Sequence, residues 1–159
     1  MLHINIFCIG KIKEKFFKDA INEYSKRLSK YCLLNFFELP DKSIPNRANP
    51  SLEKQIIDIE SKSILSKLNK NSYNIVLDSK GETFSSESFA SFINSLQQEN
   101  SEINFIIGGS LGLNDEIKNF CDKRISLSQM TYPHQLIRIF ILEQIFRAYK
   151  INNNEKYHH

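Results

Sequence analysis

The chain has 159 residues, of which 41% are hydrophobic and 25% are charged, and its 21 basic and 18 acidic residues give a net charge of +3. This composition is typical of a globular protein with a single domain, and it excludes a chain that is mostly disordered. Because no apolar run is long enough to span a membrane and the N-terminus lacks a signal-peptide pattern, we expect a soluble, cytoplasmic protein.

The first part of the chain is predicted to form strand, helix and strand. Residues 3–9 are an apolar strand ended by Gly10, apolar residues at three- and four-residue steps over 16–31 predict an amphipathic helix, and 33–39 form a second strand. Residues 1–32 hold seven basic against three acidic side chains, so the remainder sums to −1. This basic face either contacts nucleic-acid phosphates or is simply the solvated side of a helix.

The middle of the chain begins with a polar loop and continues as helix, strand and helix. Prolines punctuate the loop at positions 40, 45 and 50, and Ser51 can cap a helix that runs to about residue 68. Residues 74–77 are predicted as a third strand that ends in the turn-like segment 78–81. Ser85 or Ser86 then begins a helix with apolar residues at helical spacing. No domain boundary or internal repeat is indicated.

The segment 103–113, INFIIGGSLGL, combines a buried strand with a glycine turn. An apolar run predicts the fourth strand, three glycines follow it, and Asn114 before two acidic residues predicts the start of a helix that runs to about residue 120. Ligands of open α/β sheets bind at the carboxyl ends of strands, so this turn is a candidate binding site. Its spacing matches neither the dinucleotide fingerprint nor the P-loop, and a tight turn that only packs strand against helix is the alternative.

The last strand and the last helix complete the alternating pattern. Residues 124–127 predict a fifth strand, and strands alternating with helices throughout predict an α/β fold with a mostly parallel sheet covered on both faces. The helix predicted at 136–149 is apolar around most of its circumference, so it must be buried on more than one side. Its second apolar face is predicted to meet another subunit, and enclosure within one subunit is the alternative.

The loop between the fifth strand and the last helix, LSQMTYPH at 127–134, is dense in small polar, sulfur and aromatic groups. Pro133 excludes a helical conformation for Tyr132. Two such loops at neighbouring strand ends could hold an adenosine moiety by backbone hydrogen bonds and without a phosphate grip, which suits S-adenosylmethionine. His134 by residue type alone is only a polar residue at a helix start.

The three cysteines carry no metal or disulfide pattern. Cys8, Cys32 and Cys121 are odd in number and widely spaced, and none belongs to a C-x-x-C pair. We predict them as core thiols and predict no metal site.

These motifs together resemble the RlmH family of SPOUT-class methyltransferases, which act on large-subunit (23S) ribosomal RNA. The matching pieces are IGKIKEKFFKDAINEYSKRL near the start, LDSKG at 77–81, FIIGGSLGL at 105–113, SLSQMTYPHQLIRIFILEQIFRAYKI at 126–151 and the terminal YHH. The resemblance implies a single SPOUT domain over 1–159. Its parallel sheet would carry helices on both faces, and a C-terminal trefoil knot would form a cofactor-binding region at about 75–159. It also implies a homodimer with cofactor sites at the subunit interface.

The resemblance assigns site residues by position. The residues expected to line the S-adenosylmethionine pocket are Leu77, Gly108, Leu127, Ser128, Gln129, Met130, Thr131 and Tyr132. The residues expected on the substrate side, with catalytic roles, are His134, Arg138, Tyr157 and His158. The tail of one subunit is expected to reach the site of its partner, because the segment 152–155 is predicted to be too polar to fold back into its own core.

The function implied is methylation of N3 of a pseudouridine in 23S ribosomal RNA, on the assembled ribosome. The imide proton at N3 must leave, so His134 or His158 could accept it, or Arg138 could stabilise the anion. Lys11, Lys13 and Lys15 are expected to contact RNA phosphates. The alternatives are a methyltransferase for another RNA position and a non-catalytic ribosome-binding module. A nucleotide-dependent oxidoreductase is disfavoured by the glycine spacing.

Overall fold

Strands and helices alternate along the whole chain in the computed structural model, which describes residues 1–47 and 49–159. The strands are β1 (Leu2–Ile9), β2 (Cys32–Leu39), β3 (Tyr73–Thr83), β4 (Glu102–Ile107) and β5 (Lys123–Ser126). The helices are α1 (Lys15–Leu28), α2 (Pro50–Leu65), α3 (Ser86–Glu99), α4 (Asp115–Phe120) and α5 (His134–Asn152). Every strand and helix predicted from the sequence is present, which confirms the α/β class.

The strands form one sheet in the order β2-β1-β4-β3-β5, and each neighbouring pair is parallel. Parallel strands with helices on both faces are buried on both sides, which explains the nearly continuous apolar runs of β1 and β4. All carboxyl ends therefore meet at one edge of the sheet. That edge carries the connections after β1, β3, β4 and β5.

Two apolar layers cover the sheet, one on each face. The larger layer packs α1, α3 and α5 against side chains such as Ile6 and Phe105. The smaller layer packs α2 and α4 against Phe7, Val76 and Ile106. Cys8 and Cys32 are buried in the larger layer and Cys121 is half-buried, and all three are free thiols.

The third strand is longer than the sequence pattern indicates. The segment 78–81 was predicted as the turn that ends this strand, and that prediction is wrong, because β3 continues to Thr83. Ile125 of β5 pairs with both Leu77 and Glu82, so the residues between these two bulge out of the ladder. A Cβ at Gly81 would lie 2.7 Å from the carbonyl carbon of Arg124, so only glycine lets the bulge approach β5 this closely.

The helix starts are set by side-chain caps. Ser85 accepts the Ser88 amide at the start of α3, and Asn114 accepts the Ile117 amide at the start of α4, as the sequence predicted. The predicted cap of α2 at Ser51 is wrong, because Asn49 Oδ1 accepts the Leu52 amide at 2.9 Å and Pro50 takes the first helical position. No helix of the described residues is long and apolar enough to cross a membrane.

Candidate functional site

A pocket of about 360 Å³, called the main pocket below, opens where the carboxyl ends of β3, β4 and β5 converge. Its walls are the bulge of β3, the glycine turn after β4, the loop from β5 to α5 and the first turn of α5. The volume falls within the range of about 300–1,000 Å³ that is usual for small-molecule sites. The main pocket thus lies at the edge of the sheet where the sequence pattern placed a site.

The glycine turn forms one wall of the main pocket and is also a tight turn. The Gly112 amide donates to Gly109 O at 3.0 Å, and Gly112 adopts a φ of +84°, which favours glycine. A Cβ at Gly108 would lie 2.8 Å from Leu113 Cγ and 3.0 Å from the carbonyl carbon of Gly112. Gly108 is therefore required for the turn to close, and its backbone lines the pocket as well.

The loop from β5 to α5 forms the opposite wall. Ser126 Oγ donates to Ser128 O at 2.9 Å, and the Met130 amide donates to Ser128 Oγ at 3.0 Å, so these short bonds hold the loop in shape. The Tyr132 ring stands edge-on to Phe140, with centroids 5.1 Å apart. Of the residues expected in the cofactor pocket, the main pocket is lined by Leu77, Gly108, Leu127, Ser128, Met130, Thr131 and Tyr132. Gln129 is exposed and does not line it.

A salt bridge that the sequence analysis missed lies on the wall of the main pocket. Lys118 Nζ is 3.4 Å from Asp78 Oδ2, and both side chains are largely buried. Asp78 belongs to the LDSKG motif, so the motif could have indicated it. Lys118 comes from α4 and has no local signal, because its position depends on how α4 packs beside β3.

His134 lines the main pocket from the first turn of α5. Burial lowers the pKa of His134 below its ordinary value, and the positive charge of Arg138 lowers it further, while Asp41 opposes the shift. The imidazole is therefore neutral at pH 7. A neutral imidazole beside the pocket can accept a proton.

Arg138 lies one helical turn further along α5 but does not line the main pocket. Its side chain is 1% exposed, and Nη1 donates to Glu38 Oε2 at 2.9 Å. Nη2 donates to Ile9 O at 2.8 Å and to Gly10 O at 2.9 Å. These contacts correct the expectation of a substrate-facing guanidinium. The guanidinium of Arg138 is therefore engaged by Glu38 and by the end of β1.

The tail after α5 folds back along the surface of its own chain, and the polar segment 152–155 stays out of the buried core, in line with its polarity. Asn154 has a φ of +54° and reverses the chain, and Glu155 accepts bonds from Tyr31 and Lys150. Tyr157 packs against Phe146 and donates to Glu143 Oε2 at 2.7 Å. The polar residues are accommodated because they hydrogen-bond to neighbouring side chains at the surface of the helical layer.

His158 is held beside α3 and α5. Its Nδ1 lies 3.2 Å from Arg147 Nη1 and its Nε2 lies 2.7 Å from Glu87 Oε1. Because arginine can only donate, Nδ1 accepts and Nε2 carries the proton that is shared with Glu87. Neither Tyr157 nor His158 lines the main pocket of its own chain.

Comparison with known proteins identifies a family and several relatives that this chain resembles. The family model described as predicted SPOUT methyltransferase matches residues 2–158. The chain is 48% identical to the ribosomal RNA large subunit methyltransferase H of Clostridium acetobutylicum over 158 residues, which is 99% of each chain. It is 49% identical to the proteins of the same name from Clostridium novyi and Clostridioides difficile, with the same coverage.

Proposed function

The chain belongs to the SPOUT methyltransferase family, and from this membership we propose that it methylates N3 of a pseudouridine in 23S ribosomal RNA of the large subunit, on the assembled ribosome. The observation that carries the proposal is the similarity along nearly the full chain to relatives named ribosomal RNA large subunit methyltransferase H. The main pocket supports it, because the pocket brings together Gly108 with most of the 127–132 loop.

The residues of the main pocket fit S-adenosylmethionine as the methyl donor. Side chains of Ile107, Leu113 and Ile137 offer apolar walls, and the serine-rich loop offers polar groups. Lys118 is neutralised by Asp78, which suits a cofactor that has no phosphate. When bound, this cofactor supplies a methyl group on a positively charged sulfonium.

The chain itself contributes positioning and one proton acceptor. Methylation of N3 breaks the N3–H bond as the new N–CH₃ bond forms, and an imide is too weakly acidic to lose this proton readily at neutral pH. We assign the acceptor role to His134, because it lines the pocket and is neutral. His158 of the same chain is a weaker candidate, since its Nδ1 lone pair is engaged by Arg147.

Two measurements test the proposed function. Calorimetric titration with S-adenosylhomocysteine should show binding, and purified ribosomes should gain one methyl group on the pseudouridine when the protein and S-adenosylmethionine are added. Methylation at a different nucleotide would favour a family member with another target. Absence of cofactor binding would favour a non-catalytic ribosome-binding module.

The proton-acceptor assignment has its own test. His134→Ala should slow single-turnover methylation by about 10²-fold, which is the low end for a general base, while His158→Ala in the same chain should have a smaller effect. Unchanged rates in both variants would show that histidine does not accept the proton.

We also propose a homodimer in which the N-terminal half of α5 forms the interface. The inner side of α5 is buried through Ile141, Leu142 and Ile145, while Leu136, Ile139 and Phe140 remain partly exposed. Burying such side chains stabilises association by about 1.5–3 kcal/mol each. The partner's tail could then complete each site while remaining anchored to its own α5.

Mixed dimers test this arrangement. One subunit lacks residues 157–159 and the other carries Gly108→Trp, which the tight turn cannot accommodate. In the mixed dimer one cofactor pocket is intact and faces an intact tail, so activity should recover to about half of the wild-type value. A monomer in sedimentation at micromolar concentration, or no recovery in verified mixed dimers, would contradict the shared site.

RNA contact by the connection after β1 is proposed from position and exposure. Lys11, Lys13 and Lys15 are exposed at the same edge of the sheet as the main pocket. Replacing all three with Glu should weaken ribosome binding and leave cofactor affinity unchanged. The slope of the logarithm of the ribosome-binding constant against the logarithm of salt concentration should become shallower by about 2–3. Lys26, Lys67 and Lys70, which are exposed near the opposite edge, provide a charge-matched control triple. Equal loss in both triples would mean that only net charge matters.

A further inference from the structure

A second cavity, called the side cavity below, adjoins the main pocket and is not used by the cofactor proposed above. Its volume is about 170 Å³, and it lies between the end of β1, the loop 41–44, α2 and the glycine turn. Gly109, Leu111 and His134 line both cavities. The proposed proton acceptor therefore stands on the boundary between them.

Glu60 of α2 lines the side cavity and is more buried than a glutamate usually is. The residue is 4% exposed, and its Oε2 accepts the Lys42 amide at 3.0 Å. No donor in the described parts of the chain, 1–47 and 49–159, bonds to Oε1. Burial raises the pKa of Glu60 above its ordinary value. Glu60 Oε1 lies beside Gly109 at the wall of the side cavity without a donor from the described residues, so a bound group that donates to it would be favoured.

Glycine at position 109 keeps the space beside this oxygen open. A Cβ at Gly109 would lie 3.0 Å from Glu60 Oε1 and 3.3 Å from Ile9 Cγ2. A side chain there would crowd the carboxylate and narrow the boundary between the two cavities. Glycine at 109 thus keeps the side cavity open, whereas glycine at 108 lets the turn close.

The size and lining of the side cavity suit a single flat ring. At about 30 Å³ for each water molecule, 170 Å³ corresponds to roughly five or six waters, which is enough space for a pyrimidine base. Apolar faces come from Ile9, Ile56 and Leu111, and the acceptor comes from Glu60. Such a site binds a ring that presents an N–H at its edge.

Pseudouridine and uridine differ in that edge. Pseudouridine is joined to its ribose through carbon, so its ring carries N–H groups at both N1 and N3. With the sugar and N3 in the same places, N1–H of pseudouridine stands where uridine has C5–H. A hydrogen-bond acceptor placed opposite this position bonds to N1–H of pseudouridine. The same acceptor has no hydrogen-bond donor when the base is uridine.

We propose that the side cavity holds the target base, with N3 at the His134 boundary and N1–H donating to Glu60 Oε1, so that Glu60 selects pseudouridine over uridine. This inference rests on the function proposed above and adds to it the residue that reads the modified base. Sites that hydrogen-bond a substrate N–H discriminate strongly against an analogue that lacks it, because the buried acceptor is then unpaired.

The test compares kcat/KM on ribosomes with pseudouridine at the target and on ribosomes with uridine there, prepared from cells that lack the pseudouridine synthase for that position. The wild-type protein should prefer pseudouridine by at least about 10²-fold. Glu60→Gln should lower this ratio by about 10-fold or more. The amide oxygen is needed by the Lys42 amide, so the NH₂ group faces the cavity and opposes N1–H.

Controls separate this role from a structural one. Glu53→Gln on the same helix should leave the ratio unchanged, and Glu60→Gln should bind S-adenosylhomocysteine as the wild type does. A ratio near one for the wild-type protein would overturn the proposal without using any variant. The proposal would also be overturned if Glu60→Gln slowed methylation of both substrates equally. It would likewise be overturned if Asp41→Asn changed the ratio and Glu60→Gln did not. If the wild-type protein methylates neither RNA, the proposed function itself fails.

Discussion

Arg138 Nη1 lies 2.9 Å from Glu38 Oε2, and this ion pair joins the start of α5 to the end of β2 across the end of β1. The same guanidinium donates to the carbonyls of Ile9 and Gly10, where β1 leaves the sheet. It therefore fixes the connection that carries Lys11 relative to the helix that carries His134. The geometry gives Arg138 a positioning role.

Arg138→Ala should destabilise the fold by about 3 kcal/mol, because removing one partner of a buried ion pair leaves the other groups uncompensated. Urea unfolding at a fixed protein concentration measures this change. Lys15→Ala, which removes a fully solvated pair with Asp19, is the control and should change stability by less than about 1 kcal/mol. Equal effects of the two substitutions would contradict the positioning role.

His134 should make stability depend on pH. Its folded-state pKa lies below the ordinary value of 6.5, so the unfolded chain binds the proton more readily. The stabilising effect of a neutral His134 is thus fully present above pH 6.5 and is lost as pH falls through the lowered folded-state pKa. The free energy of unfolding should fall more steeply between pH 7.5 and pH 5.5 in the wild type than in His134→Gln, by denaturant titration at each pH. His159→Gln, at an exposed terminus, should retain the wild-type slope.

Glu143 should hold the tail in place, since it accepts hydrogen bonds from Tyr24, Tyr157 and Arg147. Burial and this carboxylate raise the pKa of Tyr24 to about 12, so the phenol remains a donor. Glu143→Gln should free the tail at a cost of about 2 kcal/mol, seen as faster amide hydrogen exchange over residues 153–159. Glu99→Gln at the exposed end of α3 is the matched control. Unchanged exchange in Glu143→Gln would show that packing of Tyr157 on Phe146 suffices.

Four asparagines form a hydrogen-bonded row across the sheet. Asn35, Asn5, Asn104 and Asn74 are paired in register, with side-chain bonds of 3.1, 2.8 and 2.9 Å between successive members. Asn104→Ala leaves Asn5 Nδ2 and Asn74 Oδ1 without their hydrogen-bond partner inside the sheet and should cost about 3 kcal/mol. Asn35→Ala, at the exposed end of the row, should cost less than about 1 kcal/mol. Chemical denaturation compares the two, and equal costs would mean that the row adds little beyond packing.

The sequence by itself determined the order of strands and helices and the edge of the sheet at which the main pocket lies. Apolar runs and helical spacing depend on neighbouring residues, so the predicted elements were found with shifts of up to three residues at their ends, except that β3 continues to Thr83. The turn chemistry of Gly108 and the caps at Ser85 and Asn114 are also local. The motifs at 77–81, 105–113 and 126–151 indicated the family, because they fix residue types without requiring the packing to be known.

Only the tertiary structure decided which distant side chains meet. Arg138 and Glu38 are 100 residues apart, and nothing local distinguishes an arginine that faces a substrate from one that ties down a strand end. The bulge at 78–81 arises from pairing with β5, and the tail folds back because Glu143 and Phe146 lie within its reach. In the sequence, Glu60 is not distinguished from the other charged residues of its helix. Only the packing of α2 against the glycine turn buries it. Such contacts depend on the relative placement of whole elements, which short-range periodicity does not encode.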